Sequence, residues 1–220
     1  MAVNPETYHT IKKQLDSQNV TLVAVSKTKP VEDILALYHL GQKDFGENYV
    51  QELAEKYDRL PKDIRWHFIG HLQTNKVKYI APFVSLIQSV DSEKLLKEID
   101  KQAKKNNRII NCLLQVHIAK EETKFGLDEN ELDDIMKDTK HSNIRICGLM
   151  GMASFTTDEK IVRREFQFLK SLFDKYSTVR IRPLVFSILS MGMSADYKMA
   201  IEEGSNMVRI GSLLFGERNT

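Results

Sequence analysis

The chain has 220 residues, 42% hydrophobic and 28% charged, with 32 lysines and arginines against 30 aspartates and glutamates. That length supports a large core, with a single α/β domain as the first expectation, and a net charge of +2 leaves no electrostatic footprint for nucleic acid or an anionic membrane. The opening MAVNPETYHTIKKQLDS lacks the apolar centre of a signal peptide, no apolar run approaches the roughly 18 residues of a membrane span, and Cys112 and Cys147 lie in apolar runs without metal or C-x-x-C spacing, so the chain reads as cytoplasmic with two reduced core thiols.

In chain order, an amphipathic helix is expected over 6–17, followed by short apolar runs that alternate with longer helical patterns. The strand candidates are 21–27, 43–46, 65–70, 85–90, 110–118, 144–152, 183–191 and 206–216, near-continuous apolar runs of the kind a parallel sheet covered on both faces requires. Between them lie helical patterns such as VEDILALYHLG, VQELAEKYDRL, SEKLLKEIDKQAKKNN, TDEKIVRREFQFLKSLFDKYS and SADYKMAIEEG. Eight strands, each followed by a helix, fit a small (β/α)8 TIM barrel better than an open doubly wound sheet. The expectation is one barrel domain over 1–220 with an extra N-terminal helix.

Chemistry in such a barrel gathers where the strands end, and the residues there are unusual. Lys27 closes the first strand candidate. Its parity with Val23 and Val25 aims the ammonium into the mouth if that side faces the axis, and a desolvated lysine is the residue type that forms a Schiff base with a carbonyl. Lys29 lies past the strand end, where a turn before Pro30 directs it to solvent. Glu47 and Asn48 follow the second strand, His71 the third, and Met152 and Ser154 the sixth. After the seventh comes Ser190-Met191-Gly192-Met193-Ser194, opening a helix, and the eighth carries Arg209 before Gly211-Ser212. Ser194 reads as an N-cap or as half of an anion cradle whose other half is Gly211-Ser212, since barrels commonly bind phosphate after strands seven and eight. Arg209, inside an apolar strand, needs acceptors: an internal carboxylate such as Glu47, or a ligand ring atom. His71 is a capping residue or an acid/base group, and His67 is structural. A lysine, a phosphate cradle and an arginine together describe a site for a phosphorylated aldehyde, and pyridoxal 5′-phosphate fits all three.

The motifs AVSKTKP, FGENYVQE, WHFIGHLQTNK, KFGL, GLMGMA, LSMGMSADY and VRIGSLLFG resemble, in this order and over nearly the whole chain, those of the pyridoxal phosphate homeostasis proteins, a family related to the alanine racemase barrel domain. The resemblance implies that Lys27 carries pyridoxal 5′-phosphate as an internal aldimine, that Ser190, Gly192, Met193, Ser194, Gly211 and Ser212 surround the phosphate, that Arg209 faces the pyridine nitrogen, and that Asn48 and the Met152 region line the pocket. It departs only in the linking helices and at a shortened N-terminus. The implied role is buffering or carrying the cofactor in vitamin B6 homeostasis, without strong catalysis. The chain ends before the second domain that the racemases add, which leaves Lys27 as the obvious base. Amino acids and cofactor-dependent apoenzymes are the expected partners, no nucleic acid or membrane is, and the chain is expected to be a monomer or weak dimer. Two alternatives stay open: a slow amino-acid racemase using Lys27 with His71, and a Schiff-base aldolase of a sugar phosphate, which gives Arg209 no role.

Overall fold

The computed structural model describes residues 3–121, 125–137, 141–178 and 184–216. Helix α1 (Pro5–Ser17) starts where Asn4 Oδ1 accepts the Thr7 amide at 3.1 Å, with Pro5 supplying a preset φ at the first helical position. Eight parallel strands follow: β1 (Thr21–Val25), β2 (Asp44–Glu47), β3 (Arg65–Phe68), β4 (Leu86–Val90), β5 (Ile110–Gln115), β6 (Ile144–Met150), β7 (Leu184–Ser190) and β8 (Met207–Ile210). They pair in sequence order, and β8 returns to β1, closing the barrel. Helices α2 (Val31–His39), α3 (Val50–Arg59), α4 (Val77–Ile80), α5 (Glu93–Lys105), α6 (Glu129–Lys137), α7 (Glu159–Ser177) and α8 (Tyr197–Glu202) occupy the crossovers, and α9 (Ser212–Phe215) follows β8.

The period-two alternation of each strand divides the core in two. Leu22, Ala24, Phe45, Trp66, Phe68, Ile87, Cys112, Leu114, Val208 and Ile210 face outward and pack with the helices. Val23, Leu86, Leu113, Cys147, Met150 and Met207 form a separate cluster inside the barrel. Cys147 and Met150 share the inside although three residues apart, because the β5–β6 register shifts at Gly148, whose φ is +149°. Arg209 pairs with Val23 across the β1–β8 seam and so belongs to the inside set.

The expected barrel with an N-terminal helix is present, and the element boundaries are refined. The first strand stops at Val25, not Lys27. The last stops at Ile210: Ser212–Phe215, expected as strand, is the short α9, which buries Leu214 and Phe215 beside α1. Four residues of β8 complete the closure, and the remaining apolar side chains reach the outer core only by turning back. Lys124 of the KFGL motif and Pro183, the first residue of the 183–191 candidate, lie outside the described residues. Among the described residues no helix is long and apolar enough to cross a membrane, and both cysteines are buried free thiols.

Candidate functional site at the barrel mouth

Lys27 sits in the turn that leaves β1, half-buried, two positions beyond inward-facing Val25. The turn is built tightly. Thr28 takes φ +62°, a conformation that a β-branched residue adopts at a cost of order 1–3 kcal/mol. Two neighbours hold it there. Lys56 of α3, 7% exposed at its side chain, donates to the Ser26 carbonyl at 2.7 Å and to Glu47 Oε1 at 2.7 Å, and it also reaches Glu52 Oε1 at 2.6 Å. Glu52 in turn accepts the Thr28 amide at 2.6 Å. Both residues flanking Lys27 are therefore pinned to α3, and Ser26 Oγ adds a bond to Glu47 Oε1 at 2.6 Å. Burial pushes the Glu47 carboxyl up to about 7, against the pull of the Lys56 ammonium and the Ser26 hydroxyl. The expectation that Lys29 turns to solvent is corrected: the left-handed step at Thr28 swings it across the seam, where Nζ donates to Phe215 O at 2.9 Å and Gly216 O at 3.3 Å.

Across that seam Arg209 is 3% exposed. Its Nη1 donates to Ser190 Oγ at 2.6 Å and its Nη2 to the Gly151 carbonyl at 3.0 Å, and burial pushes its pKa down to about 10, so it keeps its charge at neutral pH. Both these partners are neutral. Glu47 is not one of them: it lies on the outward side of β2 with Lys56, while Arg209 lies inside the wall, so the barrel sheet separates the two. The β7–α8 loop is anchored beside Arg209, whose amide donates to the Gly192 carbonyl at 3.0 Å. Gly192 has φ +97°, and a Cβ there would fall 2.6 Å from Ala200 Cβ and 2.9 Å from Tyr197 Cα. The Met193 amide donates to Asp196 Oδ1 at 2.6 Å. Ser194 is not a helix N-cap, because α8 begins three residues later; its Oγ instead accepts the Gly211 amide at 3.3 Å, tying the two Gly/Ser loops together beside Ser212. The expected half-sites after β7 and β8 are thus adjacent.

Asn48 follows β2, and its Oδ1 is buried without a partner among the described residues. The loop after β3 packs hard on it: a Cβ at Gly70 would come within 2.3 Å of the Asn48 carbonyl oxygen. Met152 is packed partly against the interior cluster, and its loop is clamped where Ser154 gives both its amide and its hydroxyl to Glu165 of α7, at 2.7 and 2.6 Å. His71 Nδ1 lies 2.8 Å from Asp91 Oδ2, and its ring stacks on Phe125 with centroids 3.9 Å apart. Lys27, Asn48, His71, Met152, Ser190, Arg209 and the two Gly/Ser loops therefore all lie at the same end of the barrel. The sequence reading did not anticipate Lys56, Glu52 and Gln88. The Glu52–Lys56 spacing looks like an ordinary i,i+4 surface pair. Gln88, by contrast, is polar in the middle of an apolar strand, the same signal that singled out Arg209.

An unpartnered carbonyl oxygen, a charged arginine between neutral partners, two joined small-residue loops and a lysine on a braced turn suit an anionic, ring-bearing aldehyde. Comparison with known proteins points the same way. The family model "Alanine racemase, N-terminal domain" matches residues 6–219. The pyridoxal phosphate homeostasis protein of Aquifex aeolicus is 44% identical over 199 residues, 90% of this chain and 86% of that protein. The structure of PipY from Synechococcus elongatus with PLP bound superposes with a TM-score of 0.87 at 32% identity, covering 96% of this chain and 99% of PipY. An alanine racemase of Clostridium difficile superposes at 0.73 over 62% of its own chain, and at 16% identity it shows the barrel alone. On its sequence, over almost its full length, the chain belongs to the pyridoxal phosphate homeostasis protein family, within the group that carries the alanine racemase N-terminal domain.

Proposed function

We propose that the chain, acting as one barrel domain over 1–220, binds pyridoxal 5′-phosphate reversibly on Lys27 and serves in intracellular vitamin B6 homeostasis as a buffer or carrier, in the cytoplasm and as a monomer or weak dimer. The observation that carries this reading is the pairing of β1 with β8, which sets Arg209 beside Val23, two pairs of residues below Lys27, with the Gly192–Ser194 and Gly211–Ser212 loops at the same rim. The family relationship supports it, since the solved PipY structure holds PLP.

When bound, the cofactor supplies an aldehyde and a phosphate ester on a ring that can draw electrons from an attached amine. Lys27 must present a neutral amine to that aldehyde, with one water leaving as the carbon–nitrogen double bond forms. Asn48 Oδ1 offers an acceptor to a ligand hydroxyl, and the backbone of the two joined loops takes the phosphate. Arg209 can only donate, and at a pKa of about 10 it remains a cation beside the ring nitrogen. A cation there keeps that nitrogen unprotonated and the ring a weak electron sink. Holding is favoured over transforming. Amino acids and cofactor-dependent apoenzymes would then be the molecules that withdraw the cofactor.

Purified protein mixed with PLP should show a visible absorbance that borohydride fixes onto the peptide containing Lys27. A Lys27→Ala variant that keeps this absorbance undiminished would overturn the assignment. One observation favours a second reading, a slow amino-acid racemase: the Asp91 carboxylate orients His71 at the same rim. Solvent deuterium exchange at the amino-acid Cα, lost in His71→Ala, is the result that reading requires.

A further inference from the structure

Beneath Arg209 a single file of polar side chains runs down the inside of the barrel. Arg209 Nη1 meets Ser190 Oγ at 2.6 Å, Ser190 Oγ meets Gln88 Oε1 at 2.7 Å, Gln88 Nε2 meets His67 Nδ1 at 2.9 Å, and His67 Nε2 meets Asp44 Oδ1 at 3.1 Å. Five different strand positions on β8, β7, β4, β3 and β2 contribute, and Ser190, Gln88 and His67 are all buried. With one proton on the His67 ring, the two ends fix the direction of every bond. A guanidinium can only donate, so Ser190 Oγ accepts from Arg209 and its own hydrogen goes to Gln88 Oε1. An ionised carboxylate can only accept, and the bonds from Arg65, at 2.7 and 2.5 Å, and from His67 hold Asp44 down at about 2 against the opposing effect of burial. His67 must therefore donate from Nε2 to Asp44. That leaves Nδ1 as the acceptor that the Gln88 amide requires.

We propose that Gln88 and His67 are positioning residues for the barrel mouth: with Asp44, and with the His67 proton on Nε2, they turn the Ser190 proton down into the barrel and its lone pair toward Arg209. Ser190, expected from the family resemblance among the phosphate contacts, is thus a support for Arg209. The charged groups around His67 are Asp44 on β2 and, two residues back on its own strand, Arg65, with Asp63 and Lys43 beyond them; β4 and β8 bring neutral Gln88 and Met207, and Arg209 lies at the far end of the file. Asp44 and Arg65 line a cleft of about 380 Å³ on the N-terminal face, through which solvent reaches this end.

The experiment has two arms, and only the second rests on the reading of the mouth as a PLP site. In the whole chain labelled with ¹⁵N-histidine and without ligand, in mildly alkaline buffer, the His67 resonances should show protonated Nε2 and bare Nδ1; a proton on Nδ1 instead overturns the proposal. In the second arm PLP is titrated into the native chain and into Gln88→Leu, which keeps volume but removes both bonds. Loss of one buried hydrogen-bond partner should weaken PLP binding about tenfold. Equal affinity in the two proteins overturns the proposal. Absence of any PLP absorbance in the native chain overturns the cofactor reading alone and leaves the histidine measurement to decide this one.

Discussion

Lys56 shows how a side chain outside the expected site can govern the residue at its centre. Its ammonium holds the Ser26 carbonyl directly and the Thr28 amide through Glu52, so the turn carrying Lys27 is set by a charge buried under α3. Removing one member of a buried pair strands the other, an effect of about 3–5 kcal/mol. Lys56→Met should therefore lower stability by about that much at pH 8, measured by urea unfolding, and by clearly less at pH 5, where Glu47 can take a proton. The native protein has a related signature. Because burial raises Glu47 from 4.5 to about 7, the folded state binds a proton in that window that the unfolded state has released. Stability is then fully present below pH 4.5 and falls as the pH rises through 7. Glu47→Gln should flatten this part of the profile, and a slope unchanged by the substitution would assign it to another group.

At the level of the element, the order of strands and helices was legible because outward-facing and inward-facing residues are both apolar in a barrel wall, which makes each strand a continuous run. Strand ends were less so. The run NMVRIGSLLFG has no polar break between Ile210 and Ser212, and the turn into α9 follows from where closure is complete, which is tertiary information. Position 29 has the same cause: nothing local shows that Phe215 and Gly216 will present carbonyls across the seam. Arg209 and Lys27 were legible as charges attached to apolar runs, whereas the bracing by Lys56 was hidden in ordinary helix spacing. The β7–α8 loop is where local and tertiary requirements meet, since Gly192 needs both a positive φ and the absence of a Cβ. Gly192→Ala should lose roughly 1–3 kcal/mol of stability and, by pushing the loop off Ala200 and Tyr197, weaken PLP binding more than tenfold. Thermal melts and titration of the same samples check both expectations together.

On the scale of the whole molecule, the proposed site exists only because the barrel closes. Lys27 and Arg209 are separated by most of the chain, and the pairing of Thr21, Leu22, Val23 and Ala24 with Met207, Val208, Arg209 and Ile210 is what brings them together. A ligand bridging the β1 turn and the loops after β7 and β8 would therefore bind the closed barrel and have no counterpart in the unfolded chain. At a free concentration 100-fold above its dissociation constant, such a ligand adds about 2.7 kcal/mol, which for a chain of this size corresponds to a rise in Tm of roughly 5–10 °C. Lys27→Ala, which would remove the proposed covalent link while leaving the loops, should show a much smaller rise. Free phosphate at the same concentration should give little in either protein. A shift of equal size in Lys27→Ala would place the binding energy in the loops and Arg209 and reduce the lysine to a secondary contact.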